Sequence, residues 1–378
     1  MCDHPTAGLT EHFAELEDPR SDSGKRHMLL DMIVIAICAA ICGADGWVEV
    51  ELFGQSKEKW LRTFLQLPHG IPSHDTFGRV FQRLDPQQFQ QRFSAWIAAV
   101  ERATERQVVA VDGKRLRRSY DNAAGKAAIQ MVSAWATANR LILGQTKVAE
   151  GSNEITAVPE LLETLDIAGC IVTADAINCQ REIAEQIVEQ EADYVLALKG
   201  NQGNLFTEVA DLFDYAQEID FRDVDHDFYQ TVGKGHGRIE KRQCWTISDP
   251  EFLTYLQGFG DWPQLKTIVK VYAERHVGTD ATCKTRYYIT SLGNNAKQAL
   301  HAVRDHWKIE NQVHWVLDVV FREDHCRLRK GNAAQNFAIL RHIALSLLQR
   351  EKTAKVGVKA KRLKAALDEH YLVKVLMG

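Results

Sequence analysis

The sequence predicts an α/β protein built around a mixed β-sheet. Three observations indicate this: short apolar runs end directly in acidic or basic residues, amphipathic helical segments separate several of these runs, and residues 1–100 show helical periodicity. The chain has 378 residues, 45% of them hydrophobic and 25% charged. It is therefore long enough for two or three cores and has the charge content of a globular protein.

Residues 1–100 are predicted to form an N-terminal helical domain. Apolar helical periods run through 28–42 and 47–66. Ser73 is the predicted cap of a further helix. The apolar face of that helix consists of Phe77, Val80, Phe81 and Leu84. These residues leave two roles equally open for the domain, DNA binding and packing or protomer pairing.

Residues 101–204 are predicted to form the first part of a sheet core, in the order strand, strand, strand, helix, strand, helix, strand. The strands are 108–111, 128–137, 141–149, 169–174 and 194–198, with helices at 152–165 and 181–190. Short joins predict an antiparallel meander for the first three strands, and helical crossovers place the last two parallel to the first. This is the order of a ribonuclease-H-like core, in which strand four lies beside strand one. Asp112 and Asp175, which end those two strands, are therefore predicted neighbours at one sheet edge.

The rest of the chain is predicted to contain a β-rich insertion and then the last helices of the core. The insertion covers 205–297, with strands at 238–247, 266–273 and 284–291 and a glycine-rich hairpin turn at 233–238. Residues 298–350 return to the core, and 351–378 are predicted to be a basic C-terminal tail.

Residues 304–324 are predicted to form a helix followed by a turn, with Glu310 in the middle of the helix. Helical spacing places Trp307, Asn311, Trp315 and Asp318 in one row, and places His306, His314 and Leu317 on the face of Glu310. The tryptophans are expected to hold Glu310 against the sheet. Asp318, Glu323 and Asp324 are rival acids that follow the insertion.

Three carboxylates from two strand ends and one helix make a hard oxygen site, which suits Mg²⁺ or Mn²⁺ and not zinc. Two such ions can clamp an in-line phosphoryl displacement. The sequence contains no G-x-x-x-x-G-K-[ST] loop, no G-x-G-x-x-G and no G-x-S-x-G, so it does not support nucleotide hydrolysis or a serine nucleophile.

Basic residues cluster beside the predicted acids, although the net charge of −4 does not by itself indicate a nucleic-acid partner. Such residues suit a polyanion that must be brought to metal ions. The predicted DNA-binding residues are Lys114, Arg115, Arg117, Arg118, Lys199, Arg304, Arg327, Arg329 and Lys330.

The eight cysteines are scattered without a CxxC pair, which argues against structural zinc. The N-terminus does not read as a signal peptide, and the apolar run 28–44 is interrupted by Asp31 and short for a membrane span. We therefore expect a cytoplasmic protein with no membrane partner.

Several sequence blocks together resemble the ISAs group of bacterial insertion-sequence transposases, the H-repeat-associated proteins of the DDE class. These blocks are VDGKRLRRS, GSNEITAVPELL, VTADAINCQ, YVLALKGNQ and VRDHWKIENQVHWVLDVVFRED, and the N-terminal stretch also looks like the helical domain of that group. The resemblance implies a catalytic, metal-binding triad of Asp112, Asp175 and Glu310. The wider superfamily has Tyr, Arg and Lys around the glutamate, where this sequence has Val303, His306 and Leu317, with Arg304 nearby.

The resemblance implies a transposase that binds the terminal inverted repeats of its element and joins them to target DNA, as a homodimer in the end complex. Two alternatives remain at this point. One is a domesticated, non-catalytic DNA-binding protein, and the other is a different ribonuclease-H-like nuclease such as a junction resolvase.

Overall fold

The structure is a computed structural model that describes residues 11–22, 25–100, 107–120, 127–149, 151–235 and 237–377. The predicted domain boundary at residue 101 lies outside the described residues. Its helices and strands, labelled in chain order, are α1 (Leu29–Cys42), α2 (Trp47–Ser56), α3 (Glu58–Leu61), α4 (His74–Phe81), α5 (Pro86–Val100), β1 (Val108–Arg115), β2 (Gln130–Ala136), β3 (Leu141–Lys147), α6 (Glu154–Glu163), β4 (Ile171–Ala174), α7 (Arg181–Glu189), β5 (Asp193–Leu198), α8 (Asn204–Glu218), β6 (His226–Gly235), β7 (Arg238–Ile247), α9 (Pro250–Leu253), β8 (Thr267–Val277), β9 (Asp280–Thr290), α10 (Ala296–His306), α11 (Trp315–Val319), α12 (Ala333–Arg350), α13 (Val358–Leu367) and α14 (Glu369–Met377).

The chain divides into two compact units that do not follow one another in sequence. Unit 1 consists of Met1–Arg102, Gly113–Gly151 and Glu310–Gly378, and unit 2 consists of Ala103–Asp112 and Ser152–Ile309. The helices predicted as an N-terminal domain thus share a unit with β2, β3 and the C-terminal helices.

Unit 2 contains a mixed sheet with the strand order β1-β4-β5-β9-β8-β7-β6. β1, β4 and β5 run parallel, as the helical crossovers predict, whereas β9, β8, β7 and β6 form an antiparallel meander joined to β5. The insertion strands therefore extend the same sheet. The predicted α/β class with a mixed ribonuclease-H-like sheet is confirmed, and so is the hairpin at the glycine-rich run, although β6 itself was not predicted.

One face of the unit 2 sheet packs against α10. Its core includes Val108, Ile171, Val195 and Val271 from the strands, together with Leu300 from the helix. On β8 the core residues Val269 and Val271 are two positions apart, as expected where one face of a sheet is buried under a helix. The strand residues of this core therefore lie on the face of the sheet that α10 covers.

Unit 1 is organised around two buried helices, α1 and α12, which pack together. Trp47 of α2 stacks near Phe81 and meets the edge of Phe337 on α12, with ring centroids 4.7 and 4.9 Å away. The predicted cap is confirmed, because the side chain of Ser73 accepts from Thr76 N. β2 and β3 pair antiparallel in this unit, as the meander predicts.

The segment predicted as a basic tail contains α13 and α14, and two of its cations are buried. Lys361 Nζ donates to Leu348 O at 2.9 Å. Arg362 Nη2 donates to Ala40 O at 3.0 Å, and its guanidinium lies 4.1 Å from the centre of the Phe321 ring. These two residues serve the core of unit 1 because their alkyl stems and fixed donors satisfy buried groups.

No single described helix is long and apolar enough to cross a membrane; α1 and α2 pass that test only as a pair, bent by 97°.

Candidate active site

Asp112 and Asp175 follow matched positions of two neighbouring strands in unit 2. Val111 of β1 pairs with Ala174 of β4 in parallel register, so each aspartate comes one residue after a paired position. Adjacent strands lie about 4.8 Å apart, which brings the two residues together at the carboxyl edge of the sheet. Both aspartates are half-buried.

The Asp175 carboxylate is held by a buried amide. The chain turns into a 3₁₀ helix, Ala176–Asn178, directly after Asp175. Asn178 is fully buried, and its Nδ2 donates to Asp175 Oδ1 at 3.0 Å and to Glu154 Oε2 at 3.3 Å. The Oδ1 of Asn178 has no protein partner among the described residues. Asn178 therefore fixes the orientation of Asp175 and links it to a second acid.

The loop after β5 holds the loop that carries Asp175. Asn201 Nδ2 and Gln202 Nε2 both donate to Ala176 O at 2.9 Å, and Gln202 also reaches Cys179 O at 3.2 Å. Lys199, the residue of this loop that the sequence predicts to be functional, is exposed. The side-chain amides of Asn201 and Gln202, directly after the end of β5, are the sequence signal that could have predicted this contact.

His306 connects the end of α10 to the Asp175 strand. Its Nδ1 lies 3.0 Å from Thr173 Oγ1, two residues before Asp175. Burial lowers the pKa of His306 to about 4, against the opposing effects of the Asp175 charge and a hydrogen bond to the Thr173 backbone. The imidazole is therefore neutral at neutral pH.

The helix predicted through Glu310 is interrupted. α10 ends at His306, a π-helical turn covers Glu310–His314, and α11 begins at Trp315. Because a π turn accommodates an extra residue, it changes which residues share a face. Glu310 is exposed while His314 and Leu317 are buried, so the predicted common face is wrong.

The tryptophans beside Glu310 were expected to pack against the sheet, but neither is buried in the core. Trp307 is 40% exposed and Trp315 is 56% exposed. Trp307 instead lies under the guanidinium of Arg286, 5.0 Å from its ring centre. Packing by tryptophan therefore does not hold Glu310 in place.

Lys114 belongs to a buried ion cluster in unit 1. Its Nζ binds Asp318 Oδ1 at 2.6 Å and also binds Glu323 Oε2, while Arg341 Nη1 lies 3.8 Å from Glu323 Oε1. Burial would raise the pKa of Glu323, but the charges of Lys114 and Arg341 lower it. Lys114 is thus committed to two acids, and Asp318 and Glu323 have structural partners.

The other predicted DNA-binding residues remain at the surface. Arg329 Nε donates to Arg118 O at 3.2 Å, and its guanidinium lies 4.8 Å from the Tyr120 ring centre. Unit 1 thereby brings the two predicted basic runs side by side. The exposed members of the set are Arg115, Arg117, Arg118, Lys199, Arg304, Arg327 and Lys330, of which Arg117 pairs with Asp324 at 3.3 Å.

Within the described ranges, no group of three or more His, Cys, Asp or Glu side chains is arranged to hold a metal ion. The metal site therefore stays a prediction founded on the aspartate pair.

β1 continues past Asp112 to Arg115, so Asp112 does not end its strand as predicted, but it does come directly after the last pair between β1 and β4. A mixed sheet with aspartates at matched positions of its first and fourth strands is the arrangement of the ribonuclease-H-like class. Comparison with known proteins narrows this class to a family. The family described as "Transposase DDE domain" matches residues 103–347, and the one described as "DDE_Tnp_1-associated" matches residues 10–97. The chain belongs to the DDE transposase family.

Curated relatives from Escherichia coli match along almost their whole length. The "H repeat-associated putative transposase YhhI" and the "Putative protein YbfL", both of strain K12, are each 39% identical over 376 residues, which is 98% of this chain and 98% of theirs. The "Putative transposase YncI" of O157:H7 is 39% identical over 373 residues, covering 97% of this chain and 94% of its own. The resemblance to H-repeat-associated transposases is confirmed.

Proposed function

We propose that this protein is an active transposase that binds the terminal inverted repeats of its element and carries out metal-dependent strand cleavage and strand transfer. The observation that supports this best is the register of Asp112 and Asp175, each of which comes one residue after the last paired position of two neighbouring parallel strands. Family membership gives the substrate class, because transposases act on DNA.

The aspartate pair suits a hard divalent cation. Both residues offer carboxylate oxygens, and the described hydrogen-bond partner of Asp175 is a neutral amide, which leaves its negative charge in place. Mg²⁺ or Mn²⁺ at these carboxylates would supply activation of the attacking oxygen and stabilisation of the leaving oxygen. The protein's contribution is to fix Asp175 through Asn178 and to keep His306 neutral beside it.

We propose Glu310 as the third acid of the set, on the strength of its motif. Glu310 is exposed and begins the π turn of unit 1, a kind of turn that is frequent at functional sites. Its rivals are less available. Asp318 and Glu323 pair with Lys114, and Asp324 pairs with Arg117.

The exposed cations of unit 1 on the runs 115–118 and 327–330 are proposed to bind DNA phosphates, with Lys199 and Arg304 of unit 2 as further candidates. Lys114 is left out of this set because its ammonium group is neutralised by two acids. A protein with this activity would act as a homodimer on the paired element ends and on nucleoid DNA in the cytoplasm.

A cleavage assay on duplexes carrying the element's terminal inverted repeats tests the proposal. Asp112→Asn and Asp175→Asn should each slow cleavage by at least about 10³-fold, because loss of one ligand removes several kcal/mol of charge stabilisation. Binding of the same duplexes should remain close to that of the wild type. Asp166→Asn, at an exposed aspartate of the same unit, is the matched control and should cleave normally.

A non-catalytic DNA-binding protein would give a different result. It would bind the repeats equally well in all four proteins and cleave them in none.

A further inference from the structure

The four antiparallel strands of unit 2 project beyond the parallel strands. Leu198, the last residue of β5, pairs with Tyr287, whereas β9 begins at Asp280. Residues 280–286 therefore overhang the end of β5, and at about 3.3 Å per residue they extend roughly 23 Å. Because β9 is antiparallel to β5, the overhang points to the carboxyl side of β4 and β5, the side on which Asp112 and Asp175 lie.

The register places five cations of the projecting parts of β7, β8 and β9 on one face. Residues directly opposite one another across a sheet lie on the same face, and every second residue of a strand returns to that face. Arg242 pairs with Ala273, which pairs with Lys284, and two rows further out Arg238 pairs across the same strands with Val277. The basic face, as we call it, consists of Arg238, Arg242, Arg275, Lys284 and Arg286.

A single glutamate organises three of these cations. Glu240 binds Arg242 Nη2 at 2.6 Å, Arg238 Nε at 3.2 Å and Arg275 Nε at 4.0 Å. Burial would raise the pKa of Glu240, but the hydrogen bond from Arg242 and the charges of the three arginines lower it. Including Asp280 at the tip, two acids face five cations, so the face keeps an excess of positive charge.

The opposite face of the same strands is different. It carries the exposed apolar residues Val232 and Ile239, 64% and 44% exposed, and Lys241 stands opposite Glu274. This face also carries Lys234 and Lys241, so the larger group of cations, five against two, lies on the basic face, in a chain whose net charge is −4.

The basic face is on the same side of the sheet as the predicted metal ligands. Thr173, two residues before Asp175, pairs with Val195, which pairs with Thr290, and every second residue back along β9 leads to Arg286 and Lys284. α10 also lies on this side, and its end is marked by Trp307 under Arg286. The same surface of unit 2 thus runs from the aspartates past the end of α10 to the projecting strands.

We propose that the basic face binds the phosphate backbone of double-stranded DNA whose scissile bond lies at Asp112 and Asp175. From the Arg286 row to the Arg238 row the face spans six residues, roughly 20 Å, which matches about six base pairs at 3.4 Å per step. An extended row of cations fits a polyanion better than a single small anion. This inference rests on the proposed function, since it assumes that the substrate is DNA.

Salt-dependent binding of the full-length protein to a fluorescent, mixed-sequence DNA duplex tests the proposal. The variant Arg275→Ala/Lys284→Ala removes two cations of the basic face, and Lys234→Ala/Lys241→Ala removes two from the opposite face of the same hairpins as the matched control. Between about 50 and 200 mM salt, the slope of log K against log salt should fall by about 2 in the first variant, with affinity reduced on the order of 10–100-fold at 0.1 M. The control should keep the wild-type slope.

The outcomes separate the two proposals. If the wild type shows no salt-dependent duplex binding, the DNA part of the proposed function fails and the basic face fails with it. If the wild type binds and cleaves but the first variant keeps the wild-type salt slope, only the proposal of the basic face is wrong. The same holds if the salt slope falls equally in both variants. The proposal is also overturned if the first variant loses affinity for single-stranded DNA but not for the duplex. Unfolding midpoints verify folding, and Arg275→Gln/Lys284→Gln replaces the alanine variant should it unfold.

Discussion

Asp175 in unit 2 and Glu323 in unit 1 are both acids inside polar clusters, but their neighbours differ. Glu323 is enclosed with Lys114 and Arg341, which balance its charge. Asp175 is held by the neutral amide of Asn178, which orients the carboxylate without neutralising it. The charge of Glu323 is balanced by fixed cations, whereas the amide that holds Asp175 does not balance its charge, as the proposed metal site requires. The neighbours, and not the acid itself, distinguish the two roles.

Exchanging Glu310 and Asp318 for their amides should produce the largest contrast. Glu310→Gln is expected to reduce cleavage by at least about 10³-fold at any Mg²⁺ concentration, with stability within about 0.5 kcal/mol of wild type, because the side chain is exposed. Asp318→Asn should keep measurable cleavage, because its carboxylate serves Lys114. A cleavage assay with the repeat duplexes and urea unfolding measure both. The reverse ranking would make Asp318 the third ligand.

Removing the charge of Glu323 should destabilise the fold. Glu323→Gln leaves Lys114 and Arg341 buried without their shared anion, and loss of one partner of a buried ion pair costs about 3–5 kcal/mol. Urea denaturation gives the value. Asp318→Asn, at a less buried partner of the same lysine, should cost about 1 kcal/mol. Equal costs would mean that the cluster is solvated and the comparison with Asp175 is unfounded.

Truncating the amide that orients Asp175 should weaken metal binding without abolishing it. Asn178→Ala is expected to raise the Mn²⁺ concentration for half-maximal cleavage by about 10–100-fold, the usual effect of removing a residue that orients a ligand. Cleavage should recover at high Mn²⁺, which a general folding defect would not permit. Asn201→Ala, which removes a contact to the backbone of the same loop, should have a smaller effect. An unchanged Mn²⁺ requirement in Asn178→Ala would count against the orienting role.

Acid should destabilise the protein through its buried histidines. Burial lowers the pKa of His342 to about 4, with Glu323 opposing the shift and Lys114 and Arg341 reinforcing it. The unfolded chain binds a proton as the pH falls through about 6.5, while the folded protein does not until about 4. Stability is therefore lost between pH 6.5 and 4, on the order of 1–3 kcal/mol from this residue.

Urea unfolding at the two ends of this window, in wild type and His342→Asn, isolates the contribution of His342. The variant should lose less stability on acidification, with a remaining slope that includes His306, whose pKa is also about 4. Identical losses in the two proteins would show that His342 is protonated in the folded state.

The sequence predicted what local patterns determine. An apolar run that ends in an acid identified β1 and β4, and the helices between the strands implied their parallel pairing. The cap at Ser73 and the apolar face behind it were equally local. The Asn178–Glu154 contact joins residues 24 apart, and the Lys114 pairs join residues 204 and 209 apart. A charge run reads the same in sequence whether its members are solvated or paired, so Lys114 was grouped with the exposed arginines around it.

The interruption at Glu310 was missed for a different reason. The spacing of Val313 and Leu317 fits a regular helix as well as a helix that contains a π turn, and both residues are fully buried. Periodicity predicts that a helix exists but is insensitive to one additional residue in a turn.

The packing of α1 against α12 bears on how the protein is made. α1 is almost entirely apolar and buried, and α12, which covers it, begins about 290 residues later in the chain. At a synthesis rate of about 5–20 residues per second, roughly 15–60 seconds pass between the synthesis of α1 and the synthesis of α12. During that interval an apolar helix is open to chaperones and to other nascent chains. A gene copy interrupted before Ala333 would never bury it, so such products should aggregate or be degraded.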